Sequence, residues 1–320
     1  MKLGDLVGKS ASGLGTRFGL MGILPTALLV LFVLALVWGG APANPPDPQA
    51  VLKEIAGYGT AQGLLLVIAV LALALILQPF QLPLIRLLEG YWGTSGPVGA
   101  LGNWLADRYR QRRDRLQHRR DELLAATQQE QGTGEGSAPS ALIISLSGRI
   151  KHHYPQERTR ILPTRLGNLL RAAEENAGIP YGIDLVTLWP RLYAILPERT
   201  AALVDDQRNQ LDIAVRFCVT FGVTTLISTG LLYRHGWWLV VPATTLILTW
   251  LSYRGAITSA LAYGLGIRIA VDLHRFDLLR ALHLHLPLPE DREAEKEKNA
   301  ELSAFLRQGI PVNFRYDHDR

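Results

Sequence analysis

Hydroxyl side chains recur at a regular interval in one apolar segment of this sequence. Thr220, Thr224 and Ser228 are four residues apart, and Thr245 and Thr249 repeat that spacing in the next apolar segment. A four-residue interval puts side chains on one face of a helix. Such a face can pack against another helix, because small hydroxyl residues allow close approach, or it can line a conduction path in an oligomer. The pattern favours packing, and both interpretations stay open.

A second group with chemical potential is a cluster of arginines between residues 98 and 129. Apolar residues that include Leu101, Trp104, Leu105 and Leu116 follow a helical spacing there. The basic residues singled out around them are Arg108, Arg112, Arg113, Arg115, Arg119 and Arg120. Such a helix either exposes its charge to solvent or contacts lipid head groups or a protein partner. Nucleic acid is not expected, because interleaved stacking aromatics are missing.

The most distinctive block of the chain contains residues that typically begin helices, together with arginines that lie close in sequence to acidic residues. Thr164 is predicted to cap a helix that ends at Ala177, with Gly178 just beyond it, and Asp184 to cap the next helix. Arg165 and Arg191 are then candidates to pair with Glu174, Glu175 or Asp184. We expect a structural ion-pair network, and the alternative is an anion or ligand site at the start of the Thr164 helix.

This block, read as PTRLGN…AAE…YGID…WPRL, resembles a recurring block in uncharacterised bacterial multi-pass membrane proteins. The resemblance covers a quarter of the chain, and the two-helix hairpin that follows is similar in arrangement. It implies a folded module and attaches no activity.

Motifs that would indicate catalysis are missing from the sequence. We find no phosphate-binding glycine loop, no nucleophile elbow and no zinc-protease motif. Cys218 is the lone cysteine, which excludes a cysteine-rich zinc site. His152 and His153 are adjacent, which favours a surface loop, and His283 and His285 do not share a helix face. We therefore assign no catalytic, cofactor-binding or metal-binding residue, and an enzyme is not the expected class.

Long charge-free stretches identify the elements that would carry these residues. The chain is 48% hydrophobic, and apolar runs at about 19–40, 61–82, 213–233 and 236–253 approach the length needed to cross a bilayer as helices. Pro79 and Pro83 are predicted to kink or end the second helix. The predicted fold class is an all-α integral membrane protein with four transmembrane helices in two hairpins and a helical cytoplasmic module between them.

The distribution of basic residues predicts the orientation and the domain limits. If both termini are cytoplasmic, 31 of the 33 lysines and arginines lie on that side, which leaves Lys53 and Arg234 outside. The predicted segments are a cytoplasmic N-terminus (1–18), a first hairpin (19–85), a helical module (86–212) with a flexible linker (128–141), a second hairpin (213–253), and C-terminal helices and tail (254–320). A short strand or a helical turn is expected from Ala141 to Leu146. The net charge of +5 then reflects orientation in a cell (inner) membrane.

Two functions remain open at this point. The first is an oligomeric channel or pore-forming effector controlled by the cytoplasmic module, and its layout resembles bestrophin-type channels in architecture alone. The second is a membrane-anchored scaffold or sensor that binds a cytoplasmic partner. Besides the lipid bilayer, the expected partners are further copies of the chain and a cytoplasmic protein.

Overall fold

The computed structural model describes residues 24–93, 95–131, 141–287 and 291–312, together with residues 314 and 316, and helices joined by turns and short loops make up those ranges. Of the described residues, 84% are helical and none lies in a strand. In chain order the described helices are α1 (Leu24–Trp38), α2 (Pro48–Gly57), α3 (Thr60–Glu89), α4 (Gly96–Gln131), α5 (Ala141–His153), α6 (Arg165–Gly178), α7 (Leu185–Ile195), α8 (Glu198–Leu232), α9 (Val240–Ala281) and α10 (Arg292–Gln308). Short 3-10 turns lie at Arg158–Arg160, Ile179–Tyr181 and Gly236–Leu239.

Three helical segments are long and apolar enough to cross a membrane. They are Thr60–Leu77 within α3, the whole of α8, and Gly236–Ala281, which contains α9. Apolar side chains along α3 are largely exposed, as Leu65 at 66% and Ile76 at 63% illustrate. Exposed apolar surface of this extent marks a face that meets a partner or lipid. The all-helical, membrane-compatible class predicted from the sequence is therefore confirmed.

The first predicted span is only partly within the described residues. Its described portion is the apolar helix α1, which is shorter than a full span, and residues 19–23 lie outside the described ranges. The second span continues further than predicted, because α3 runs through Pro79 and Pro83 to Glu89. These prolines therefore do not end the helix, and a kink at them stays a prediction. Apolar helices tolerate proline where neighbouring groups satisfy the freed carbonyls.

The described chain divides into two compact units. The first unit comprises the chain up to Leu87 together with Asp212–Ala256. Within it, Leu36 and Ala41 pack against Leu232 in a small buried cluster. The ring of His235 lies 2.9 Å from the carbonyl oxygen of Pro42, so the turn after α1 contacts the turn after α8.

The second unit comprises Leu88–Leu211 together with the chain from Ile257 onward. Its core gathers buried leucines of α7 with residues of α9 and α10, among them Leu188, Leu192, Val271, Leu279 and Leu302. The C-terminal helices therefore belong to the same compact unit as α4 to α7, whereas the sequence pattern predicted residues 254–320 as a separate segment.

Several local expectations in this unit need correction. Residues 128–131 belong to α4 and residue 141 begins α5, so the predicted linker is helical at both ends, and residues 132–140 lie outside the described part of the chain. His152 and His153 close α5 rather than lying in a loop. Gly178 is the last residue of α6, and Gly182 takes the left-handed conformation instead, with φ at +71°.

Candidate functional site

The arginines of α4 fall into two groups with different partners. Arg110 pairs with Asp107 at 2.6 Å, and Arg120 pairs with Asp121 at 2.6 Å. Arg113 is buried, and its guanidinium donates to the carbonyl of Gln156 at 2.6 Å. Arg113 links α4 to the loop after α5, whereas the Arg120 pair is local to α4, and Arg113 and Arg120 are therefore already engaged rather than free for the contact predicted from the sequence.

The other group forms one continuous line that we call the arginine stripe: Arg108, Arg112, Arg115 and Arg119. None of them forms an ion pair with a carboxylate of the described residues, and all four are exposed. An open groove of about 600 Å³ runs along the stripe, with Leu105, Tyr109 and Leu116 at its base. With a rise of 1.5 Å per residue, the four charges span about 16 Å.

The beginning of α4 adds exposed apolar side chains next to the stripe. Leu101 is 50% exposed and Trp104 is 53% exposed. The guanidinium of Arg108 lies 4.8 Å from the Trp104 ring centre, within cation–π range. Apolar and aromatic groups beside arginines on one helix are typical of elements that lie at a membrane surface.

The PTRLGN block has a structural role that its residue types explain. Thr164 accepts the amide of Gly167 at 3.1 Å and caps α6, as predicted. Asn168 is buried and bonds both the amide and the carbonyl of Leu162, at 2.7 and 2.9 Å. Gly167 faces the backbone of Glu89 so closely that a β-carbon there would lie 1.8 Å from the Glu89 carbonyl oxygen. Only glycine permits this approach.

The predicted ion pairs of this block involve different arginines. Arg160 lies 2.8 Å from Glu175, whose side chain is almost fully buried, and 3.9 Å from Glu174. Asp184 takes the predicted N-cap position of α7 and pairs with Arg307 of α10 at 3.1 Å. Sequence reasoning missed Arg160 and Arg307, although a carboxylate on the buried face of α6 is itself a signal that a cation lies nearby.

The two arginines expected in those pairs have other surroundings. Arg191 donates to the carbonyl of Thr187 in its own helix at 2.8 Å. Arg165 forms no ion pair with the described residues and lines a cavity instead. Thr164 and Arg165 begin α6, whereas Asp184 and Arg191 belong to α7, so the four do not converge on one ligand site.

Burial perturbs the acid–base chemistry of this block. It raises the pKa of Glu174 above the ordinary glutamate value, and Arg160 opposes part of that increase. The pKa of the Tyr181 phenol is also raised, first by burial and then by its hydrogen bond to Asp272 at 2.8 Å. Tyr181 therefore stays protonated at neutral pH and fixes the α6–α7 connection against α9.

The hydroxyl series of α8 and α9 is engaged within the chain. Thr220, Thr224, Ser228 and Thr245 are buried. Thr224 donates to the carbonyl of Thr220 at 2.7 Å, and Thr249 donates to that of Thr245 at 2.8 Å. Thr225 bonds Thr245 directly across the two helices at 2.9 Å. These are the contacts that helix packing makes.

The remaining titratable candidates are dispersed. His274 contacts Asp277 at 2.9 Å and Thr200 at 3.3 Å. In the described ranges no three histidine, cysteine or carboxylate side chains cluster as a metal site would require. The arginine stripe is therefore the feature with the clearest capacity to bind something outside the chain.

Comparison with known proteins adds no functional information to the arginine stripe. No family model, curated protein or solved structure that we compared matches this chain.

Proposed function

We propose that the protein is a membrane-anchored scaffold or sensor whose helical unit docks on an anionic lipid surface through the arginine stripe. One observation supports this most: Arg108, Arg112, Arg115 and Arg119 have no acidic partner among the described residues, while Arg110 and Arg120 on the same helix do. Four aligned arginines without an acidic partner in the described part of the chain repel one another, and a negatively charged surface outside the chain would relieve that repulsion.

The membrane anchor in this proposal has four spans in two hairpins, with both termini cytoplasmic in the inner membrane. The basic-residue distribution supports the orientation. The contact between His235 and Pro42 supports the two-hairpin topology, because both exterior turns of that topology belong at one side of the membrane. Membership of the bacterial proteins that share the PTRLGN block, and assembly of the chain into a homo-oligomer, remain part of the proposal.

Lipid head groups suit the stripe better than an acidic protein does. Leu101 and Trp104 are exposed at the start of the same helix, and their apolar area would enter the boundary between head groups and acyl chains. Each arginine near an anionic surface contributes about 1 kcal/mol, so the four together supply about 4 kcal/mol. Because the stripe is exposed, this attraction is expected to weaken strongly at high salt.

The pore hypothesis is the weaker candidate. It relies on the hydroxyl series, whose members Thr220, Thr224 and Ser228 are buried in the chain. Ion flux into liposomes that carry the wild-type protein but not Thr224→Leu would favour a pore. If liposomes that contain folded protein pass no ions, the membrane-anchored scaffold or sensor stays the favoured function.

The docking proposal is tested by vesicle binding of the full chain held in phosphatidylcholine nanodiscs. Added vesicles contain phosphatidylglycerol mixed with phosphatidylcholine, or phosphatidylcholine alone. We expect the wild type to co-sediment with the anionic vesicles only. Replacing Arg108, Arg115 and Arg119 together with glutamine removes about 3 kcal/mol and weakens binding about a hundredfold.

A matched control distinguishes the effect of the arginine stripe from the effect of lowering the net charge by three. Replacing Arg191, Arg199 and Arg208 with glutamine removes the same charge from exposed positions of α7 and α8. This control should bind anionic vesicles within severalfold of the wild type. Equal losses in the two triple variants, or equal binding of the wild type to both vesicle types, would contradict the proposal.

A further inference from the structure

A smaller cavity lies where α4, α5 and α6 meet, beside the arginine stripe. Its volume is about 170 Å³. Three arginines, a histidine and two tyrosines supply its polar lining: Arg112, Arg149, Arg165, His153, Tyr109 and Tyr154. The lining residues described contain no carboxylate. We call this cavity the basic pocket.

The three guanidinium groups of the basic pocket are uncompensated. Arg112, Arg149 and Arg165 form no ion pair and no hydrogen bond with other residues in the described ranges, although Arg158 and Arg160 close by are both paired with acids. They come from three separate helices, so their convergence is a product of the fold rather than of one basic stretch. Like charges gathered around a concave surface attract an anion strongly.

Neutral hydrogen-bond donors complete the lining. Burial and the neighbouring Tyr154 raise the pKa of Tyr109, so its hydroxyl keeps its proton at neutral pH. Burial lowers the pKa of His153, and Arg165 and Arg149 lower it further. The buried Nδ1 of His153 has no hydrogen-bond partner among the described residues. A buried ring nitrogen without a partner calls for a ligand or a water.

The size of the pocket limits what can occupy it. Drug-sized ligands occupy cavities of about 300–1,000 Å³, so this pocket is too small for a nucleotide or a cofactor. With about 30 Å³ for each water, it holds one small tetrahedral anion with a few waters. Planar guanidinium forks match the oxygen geometry of phosphate, and Arg165 stands at the first position of α6, where the helix dipole also favours a negative charge.

We propose that the basic pocket binds a single phosphate monoester or inorganic phosphate, held by Arg112, Arg149 and Arg165 with Tyr109 and His153 as hydrogen-bonding partners. The ligand is either a small soluble phosphate compound or the head group of a phosphomonoester lipid. This inference goes beyond the docking proposed above, because Arg149 and Arg165 lie outside the stripe and a soluble ligand requires no membrane contact.

Calorimetric titration of inorganic phosphate into the full chain in detergent is the primary test, with sodium chloride of equal ionic strength as the blank. We expect saturable binding by the wild type. A charge-assisted hydrogen bond accounts for one to two factors of ten in affinity, so Arg165→Gln and Arg149→Gln should each bind phosphate about 10- to 100-fold more weakly. Arg199→Gln is the matched control, with an exposed arginine of α8 removed and wild-type binding expected. Unchanged melting temperatures would establish that the variants are folded.

A lipid arm identifies the source of the phosphate group. The full chain is placed in nanodiscs whose anionic lipid is either phosphatidic acid or phosphatidylglycerol. Hydrogen exchange of α5 and α6 is measured in both. Saturable binding of inorganic phosphate supports a soluble ligand. Protection by phosphatidic acid alone, lost in Arg165→Gln, supports a lipid head group. If neither phosphate nor phosphatidic acid binds, or if Arg165→Gln and Arg199→Gln behave alike, the proposal is overturned.

Failure of this inference is distinguishable from failure of the docking proposal. The variant in which Arg108, Arg115 and Arg119 are replaced should no longer bind anionic vesicles but should bind phosphate as the wild type does. Arg149→Gln should do the reverse, because its position lies outside the stripe.

Discussion

Substitution of Gly167 by alanine tests the structural account of the PTRLGN block. A β-carbon added at Gly167 would lie 1.8 Å from the carbonyl oxygen of Glu89 and 2.8 Å from a methyl group of Leu162. The leucine methyl can rotate away, but the Glu89 oxygen is backbone. Since real β-carbons do not approach closer than 3.0 Å, α6 and the end of α3 must separate by at least 1.2 Å.

The expected cost follows from two opposing effects. Alanine is favoured over glycine in a helix by about 1 kcal/mol. Overpacking that forces backbone shifts costs about 1–3 kcal/mol, and the upper part of that range, about 2–3 kcal/mol, applies here because the displaced atom belongs to the backbone. We therefore expect Gly167→Ala to destabilise the second unit by about 1–2 kcal/mol. For a unit of this size, that corresponds to a Tm about 2–8 °C lower.

Gly148 provides the matched control, because it lies inside α5 with nothing within 4 Å of its added β-carbon. Gly148→Ala should raise Tm by about 1–4 °C through helix propensity alone. Thermal unfolding of the full chain in detergent, followed by circular dichroism, measures both variants. Equal or higher stability of Gly167→Ala would refute the close contact between α6 and the end of α3.

Three further predictions address hydrogen bonding and protonation. Asn168→Ala leaves the Leu162 amide and carbonyl without partners and should cost about 2–4 kcal/mol, measured as Tm and as protease cleavage before α6. Because the folded pKa of His153 is lowered, the unfolded state binds its proton first, so stability should fall as pH decreases below about 6.5. His153→Gln should reduce that fall between pH 7.5 and 5.5 in chloride buffer, and an unchanged pH dependence would contradict the burial of this ring. Thr225→Val removes the bond to Thr245 and should weaken the α8–α9 hairpin by about 0.6 kcal/mol in detergent-induced unfolding.

Local signals in the sequence predicted the helices whose ends they define. Thr164 caps α6 as predicted, and Asp184 takes the predicted position before α7, although its side chain forms no capping hydrogen bond there. These features depend on neighbouring residues alone. The membrane-compatible helices could also be predicted from the sequence, because length and absence of charge are properties of a single segment.

Contacts between distant residues were not predictable in the same way. Asp184 pairs with Arg307, which is 123 residues away, and no local pattern distinguishes Arg307 from the other arginines. Likewise, the three arginines of the basic pocket come from different helices, and only the packing of α4, α5 and α6 brings them together. The arginine cluster of α4 was evident in the sequence, but its division into paired and unpaired members required the fold.

That division follows from two different periodicities on one helix. Asp107, Asp114 and Asp121 are seven residues apart and so share one face of α4, where they pair with Arg110, Arg158 and Arg120. The arginine stripe advances by four, three and four residues and follows a different face, and none of its members pairs with those aspartates. Like charges three or four apart on a helix destabilise it by about 0.2–0.5 kcal/mol for each pair. A helix that neutralises one face and leaves this repulsion on another is stabilised whenever an anionic surface covers the stripe, so binding of that surface should raise the thermal stability of α4 in the wild type and not in the triple stripe variant.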